Sequence, residues 1–305
     1  MLSLLDTFRV LASFDPPRID LSCAPWEVYV DWAIAQGLAP LAAYNLEYRL
    51  GGAGAPTWAK DRLLSVYQGT LNDNVMKLVN FKRAIDELEG AKVILLGGAS
   101  FAEALYPHIA FRPVLDLELL LADVDVPRVV TLLEKSDFRR TGPSVLSDGR
   151  TEIRLFTSLL PPEVFLRVLP MKVFGPNVFR LDLEDALLAL CLFHARQGYE
   201  VPMLSFVDLR ELLLGAPSLG GPYSRPPDVA KLHARVKVWR LERALHASLA
   251  IAERLFEGLP DAKPSLRAPT RALLNRMVVG PACELGKMHT VRGSDRLRRL
   301  LTGGR

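Results

Sequence analysis

"RPVLDLELLL", residues 112–121, decides how the rest of the chain is read. Most of its residues suit a buried β-strand, yet Asp116 and Glu118 stand two positions apart within it. Strand side chains alternate between faces, so the two carboxylates share one face while Leu115, Leu117 and Leu119 share the other. Their Cα atoms would lie about 6–7 Å apart. At about 6 Å two negative charges repel by roughly 0.7 kcal/mol in water and by about 3 kcal/mol at an effective dielectric of about 20. The pattern fits a half-exposed strand with a wet face. It also fits a cleft in which the acid pair requires a counter-charge.

The neighbouring sequence extends the second reading. Upstream, "KVILLGG" (92–98) is a dense apolar run ending in two glycines, a buried strand followed by a tight turn. "ASFAEALYP" (99–107) reads as a short helix stopped by Pro107. Downstream, "VPRVVTLLEKSDF" is an amphipathic helix with Pro127 near its start, and "RTEIRLFTSLL" is a further strand from about Arg150. Strand, helix, strand, helix, strand is the order of a small α/β unit. Glu152 lies on that last strand, and if the two acid strands are neighbours three carboxylates could converge on Mg²⁺. Gly97 and Gly98 precede a helix, where bare backbone and helix N–H groups can face a phosphate.

Both flanks read as helical. Before the unit, a break at "GLAP" and a loop "GGAGAP" (51–56) precede a long helix from about Trp58 to Glu89, closing at Gly90. That loop lacks the Gly-Lys-Ser/Thr of a P-loop. After the unit, "LDLEDALLALCLFHARQG" opens with Asp182 as a candidate N-cap and contains His194, read as a packed residue with one hydrogen bond or as a nucleotide-facing one. A Pro- and Gly-rich loop then leads to the helical "VAKLHARVKVWRLERALHASLAIAERLF". The expected organisation is a helical region 1–90, an α/β core 91–175 and a helical region 176–305.

Composition excludes several classes. The 305 residues are 50% hydrophobic with a formal charge of +4, enough for a sizeable core and without a broad basic face for nucleic acid. A local exception is "KMHTVRGSDRLRRLLTGGR" (287–305), a solvated terminal helix or a phosphate-binding tail. Three scattered cysteines, Cys23, Cys191 and Cys283, provide no disulfide framework or metal knuckle. The opening residues, with Asp6 and no basic stretch, make a poor signal peptide, and no apolar run reaches the roughly 20 residues that span a bilayer. The expectation is a cytoplasmic protein with no membrane partner. Gly-x-Ser-x-Gly, His-Glu-x-x-His and Cys-x-x-Cys stretches do not occur.

"LLGG" followed by "DLEL" resembles the nucleotidyltransferase superfamily named after DNA polymerase beta. The closer likeness is to a family of largely uncharacterised bacterial nucleotidyltransferases. It is carried also by "DWAIAQGLAPL" (31–41), "VILLGGASFAEALYP" (93–107), "LDLEDALLALCLFHARQG" and "FVDLREL", and covers residues from about 20 to 215. The resemblance implies a mixed-sheet α/β (α+β) core flanked by helices and metal-dependent transfer of a nucleoside monophosphate from an NTP, with pyrophosphate leaving. The acceptor, a small molecule, a protein side chain or a nucleic-acid end, is not specified.

By position, Asp116 and Glu118 would bind Mg²⁺ or Mn²⁺, and Glu152 would be a third metal ligand or take the acceptor's proton. Gly97, Gly98 and Ser100 would contact the triphosphate, with Arg112 and Arg154 as nearby cations. Two departures stand out. The family pattern has Lys-Gly where this chain has Gly97-Gly98, and Asp where it has Glu118; a His is also usual near Arg154. The rival readings are a binding or scaffold protein that keeps the fold without catalysis, and a nucleic-acid-binding regulator acting through the basic C-terminus.

Overall fold

The computed structural model describes residues 2–52, 54–86, 91–215 and 223–279. The chain divides into two compact units, Met1–Tyr67 with Leu183–Arg305, and Gln68–Asp182.

The first unit opens with helix α1 (Leu4–Leu11), whose start is fixed by a reciprocal cap between Ser3 and Asp6. Helices α2 (Trp26–Ala35) and α3 (Ala39–Tyr44) are separated at "GLAP", as their sequence requires. Gly37 takes a φ of 71° there, and Pro40 sits in the first turn of α3, where its missing N–H costs nothing. Helix α4 (Thr57–Asp86) then passes from the first unit into the second.

The second unit contains β1 (Val93–Leu96), α5 (Gly97–Ala104), β2 (Leu117–Leu120), α6 (Val126–Lys135), β3 (Arg139–Gly142), β4 (Val145–Ser147), β5 (Glu152–Phe156), β6 (Leu169–Pro170) and β7 (Val178–Arg180). Among the described residues these strands form one seven-stranded sheet in the order β3-β4-β5-β2-β1-β7-β6. The sheet is mixed: β2 runs antiparallel to β1 and parallel to β5, β1 is parallel to β7, and the hairpin β3–β4 is antiparallel to its neighbours. The two acid-bearing strands of the sequence reading are therefore adjacent. Helical flanks around a mixed α/β core are the fold class expected above.

Strand alternation places the site. Leu117, Leu119 and Leu121, with Val93, Leu95, Ile153 and Leu155, share a core with Leu78, Phe81 and Ile85 of α4 and with Val129 and Leu133 of α6. Each such side chain taken from water contributes about 1.5–3 kcal/mol, which pins the register because a one-residue slip would exchange the faces. On the other face Glu118 sits across from Leu96 on one side and Arg154 on the other, and Arg154 across from Val145. The sheet's core face and its acid face are thus set by the same leucines.

Strand β2 is shorter than its sequence led one to expect. It starts at Leu117, and Leu115 is 76% exposed rather than inward. The backbone before it is bound to side chains of α4 instead of a neighbouring strand: Asn74 Nδ2 donates to the carbonyls of Ile109 (2.6 Å) and Arg112 (2.8 Å), and its Oδ1 accepts from the Val114 N–H (2.9 Å).

The chain returns to the first unit through α7 (Leu183–Arg196), α8 (Met203–Leu214), α9 (Val229–Trp239), α10 (Glu242–Leu255) and α11 (Ala268–Leu274). The stretch read as helical from Val229 is divided by Arg240 in the left-handed conformation, φ 56°. Buried acids of α7 are paired with α9 through Asp185–Arg235 (2.9 Å) and Glu184–Lys231 (2.8 Å). Cys23 and Cys191 are free thiols. Cys283 and the basic stretch 287–305 lie outside the described residues. Among those described, no helix is long and apolar enough to cross a membrane.

Candidate active site

The site begins where β1 runs directly into α5. Gly97 makes that turn with a φ of 54°, a conformation L side chains rarely adopt. Helix α5 starts without a side-chain cap from Leu96, so its first N–H groups are not satisfied by that residue. Ser100, in the first turn, is buried.

Both glycines also make room. A Cβ at Gly97 would overlap Glu118 Oε2 and lie 3.4 Å from Glu118 Cδ. One at Gly98 would overlap Arg112 Nη1, with Arg112 Cζ at 3.2 Å. Glu118 and Arg112 therefore lie against the backbone of the turn. Arg112 is held there by the Asn74 bond to its carbonyl, by its own Nη1 donating to Pro113 O at 3.2 Å, and by the Phe101 ring, 5.7 Å from its Cζ. The two departures from the resembled pattern meet in space: the longer acid at 118 reaches where a side chain at 97 would begin.

Asp116 and Glu118 are electrostatically crowded. Burial raises the Asp116 carboxyl above its usual range, opposed by the Arg154 guanidinium, with Glu152 adding to the rise and Arg112 lowering it. Burial, and then repulsion from Asp116, pushes the Glu118 carboxyl up to about 7, even though Arg112 and Arg154 pull the other way. Ionising both acids thus demands more positive charge than these two arginines supply.

Glu152 does not join the pair. Arg154 stands between: its Nε contacts Asp116 Oδ2 at 2.7 Å and its Nη2 contacts Glu152 Oε1 at 2.8 Å. Among the described residues no group of three His, Cys, Asp or Glu side chains is gathered so as to hold one metal ion. The donor set still suits a hard divalent cation in part, because Asp116 and Glu118 are carboxylates on one face whose charges are under-compensated. The residues that fit such an ion are these two.

Helix α4 carries residues that the sequence reading passed over. Besides Asn74, Lys77 Nζ donates to Val114 O at 2.7 Å. Asn80 Nδ2 donates to Asp148 Oδ2 at 3.3 Å, and Asp148 Oδ1 accepts from the N–H groups of Arg150 (2.8 Å) and Thr151 (2.6 Å). One polar stripe therefore fixes the segment before β2 and the turn before β5. Its signal was the i, i+3, i+6 spacing of Asn74, Lys77 and Asn80 beside apolar Leu78 and Phe81. His194, by contrast, is fully buried, with Nε2 2.7 Å from Ser205 Oγ and its ring 4.6 Å from that of Phe206. It is a packed core residue.

A mixed sheet with an acid pair beside a Gly-Gly turn is the arrangement that the resemblance to nucleotidyltransferases implied, and the comparison with protein families gives the same class. A model of the family described as uncharacterised nucleotidyltransferase matches residues 22–257, and the chain belongs to that family. No curated protein matches it, and no solved structure does.

Proposed function

We propose that the protein transfers a nucleoside monophosphate from an NTP to an acceptor, with release of pyrophosphate, in a reaction dependent on Mg²⁺ or Mn²⁺. The family supports nucleotidyl transfer in general. The observation that carries the finer reading is the crowded pair Asp116 and Glu118 lying against the Gly97-Gly98 turn.

When bound, a divalent cation would supply a Lewis acid at the phosphoryl oxygens. Asp116, just before β2, and Glu118, on it, would hold the ion from the acid face. The Gly97-Gly98 turn sets the start of α5 beside Glu118 and Arg112, where phosphate oxygens would meet the helix's first N–H groups, with Ser100 in the same turn of helix. Arg112, seated over Gly98, brings positive charge to the turn one position from Gly97, where the resembled pattern has Lys. Glu152, apart from the pair, takes the second of its two roles and accepts the acceptor's proton.

One observation favours a second reading. Arg154 already pairs with both Asp116 and Glu152, as it would in a binding protein that keeps the fold without catalysis. Calorimetric titration of ATP, GTP, CTP and UTP with Mg²⁺ or Mn²⁺ separates the two. Metal-dependent binding that falls at least tenfold in Asp116→Asn is the expected outcome. Folded protein that binds no nucleotide would establish the second reading.

A further inference from the structure

We propose that Arg154 is the resident counter-cation of the acid face: its guanidinium bridges Asp116 and Glu152, and a divalent ion gains Asp116 as this guanidinium leaves. The inference rests on the proposed metal-dependent reading and deepens it.

The bridge uses two nitrogens of one guanidinium, Nε to Asp116 Oδ2 at 2.7 Å and Nη2 to Glu152 Oε1 at 2.8 Å. A small divalent cation approaches carboxylate oxygen to about 2.0–2.1 Å, and at the single Asp116 carboxylate it would meet the guanidinium already held on Oδ2, so the two cations repel and compete for Asp116. The bridge is built to be broken. The Arg154 side chain is 48% exposed and Glu152 40%, so neither end is locked in a core. Ion pairs whose partners are exposed to this degree are weak, and separating this one returns Arg154 and Glu152 to solvent. Asp116, at 27%, is the least exposed of the three and the one that keeps most need of a cation.

The register decides where the freed guanidinium goes. Arg154 lies directly across from Glu118 on β2 and from Val145 on β4, with its Cα fixed by strands on both sides. Side-chain rotation alone swings the head away while the stem stays on the acid face. Once released, the planar donor fork remains beside the metal site and suits a phosphate oxygen pair. Metal arrival and delivery of a phosphate-binding cation are then one event, and Glu152 is set free by the same motion.

The test is Mn²⁺ binding without nucleotide, read from the electron paramagnetic resonance signal of free Mn²⁺, in the full chain and in Arg154→Gln, Arg154→Lys and Asp116→Asn. Arg154→Gln should bind Mn²⁺ about tenfold more tightly, equivalent to about 1.4 kcal/mol. Arg154→Lys keeps the charge but cannot span both carboxylates with a planar fork, so it should lie between wild type and Arg154→Gln. Asp116→Asn should abolish the gain when combined with Arg154→Gln. An unchanged or weaker affinity in Arg154→Gln overturns the inference while leaving the metal-dependent reading intact. So does Arg154→Lys matching wild type, which would reduce the effect to net charge. Absence of Mn²⁺ binding in every folded variant would overturn both. Thermal unfolding without metal confirms that the variants, altered at a half-exposed side chain, remain folded.

Discussion

Gly97 and Glu118 illustrate how one position constrains another across the turn. Gly97 has a φ of 54°, and its missing Cβ leaves the space that Glu118 Oε2 fills. Gly97→Ala therefore carries two costs, a left-handed backbone of about 1 kcal/mol and the displacement of a flexible carboxylate. A total loss of about 1–2 kcal/mol is expected from urea unfolding midpoints. Glu118→Asp withdraws the carboxylate by one methylene and should remove the second cost but not the first. The double variant is thus expected to be less destabilised than the sum of the singles, with a coupling of about 0.5–1 kcal/mol. Additive effects would mean that the two residues do not share this space in solution. The sequence displayed the glycine pair and the acid pair as separate motifs. Their meeting was not legible, because it depends on the antiparallel register that sets Leu96 across from Glu118.

At the scale of elements, α4 is the support of the site. Asn74 satisfies two carbonyls and one N–H of the 109–114 segment, which has no strand partner of its own. Asn74→Ala would leave these groups to find water or remain unpaired, a loss of about 2–4 kcal/mol with Lys77 still bound to Val114 O. Hydrogen exchange offers the local readout, since the Val114 amide should lose protection by more than the amides of β5. Uniform loss across the sheet would make Asn74 a general stabiliser rather than a clamp on the approach to Asp116. Here the limits of sequence reading are physical. Apolar alternation and Gly/Pro punctuation were enough to locate β1, β5, α5 and α6, because each buries a periodic face or starts at a breaker. Strand β2 was overextended because alternation records only side-chain character, whereas the backbone of 112–116 is claimed by a helix distant in sequence. The hairpin β3–β4 carries Arg139 and Arg140 on an exposed strand, so it left no apolar pattern to read. Arg240, a charged residue without Gly or Pro character, likewise hid the break between α9 and α10.

At the scale of the whole molecule, His194 in the helical unit and Glu118 in the sheet unit respond to acid in opposite directions. His194, fully buried in the helical unit, is held by burial well below the usual imidazole range, at about 3, with its bond to Ser205 opposing the shift. Between about pH 6.5 and 3 the unfolded chain binds a proton there that the folded chain does not. Stability from His194 is therefore complete above pH 6.5 and lost as pH falls, by up to about 1.4 kcal/mol per pH unit. Glu118, in the sheet unit, has its carboxyl raised from 4.5 to about 7. The folded chain binds the extra proton in that window, so without metal the Glu118 contribution is lost as pH rises from 4.5 through 7. From pH 4.5 to 6.5 the two slopes oppose each other, and the pH profile of the unaltered chain should look flatter than either group alone would make it. His194→Gln keeps a donor for Ser205 and removes the titration. Its overall stability should be lower at pH 7.5, yet it should lose less on acidification than wild type, as measured by thermal unfolding between pH 7.5 and 4.5. Glu118→Gln should do the reverse and steepen the acid loss. If the units unfold in separate transitions, the transition of the helical unit responds to His194→Gln and that of the sheet unit to Glu118→Gln. An unchanged pH slope in His194→Gln would mean that the imidazole reaches water in the native state and that the helical core is looser than its packing against Phe206 implies.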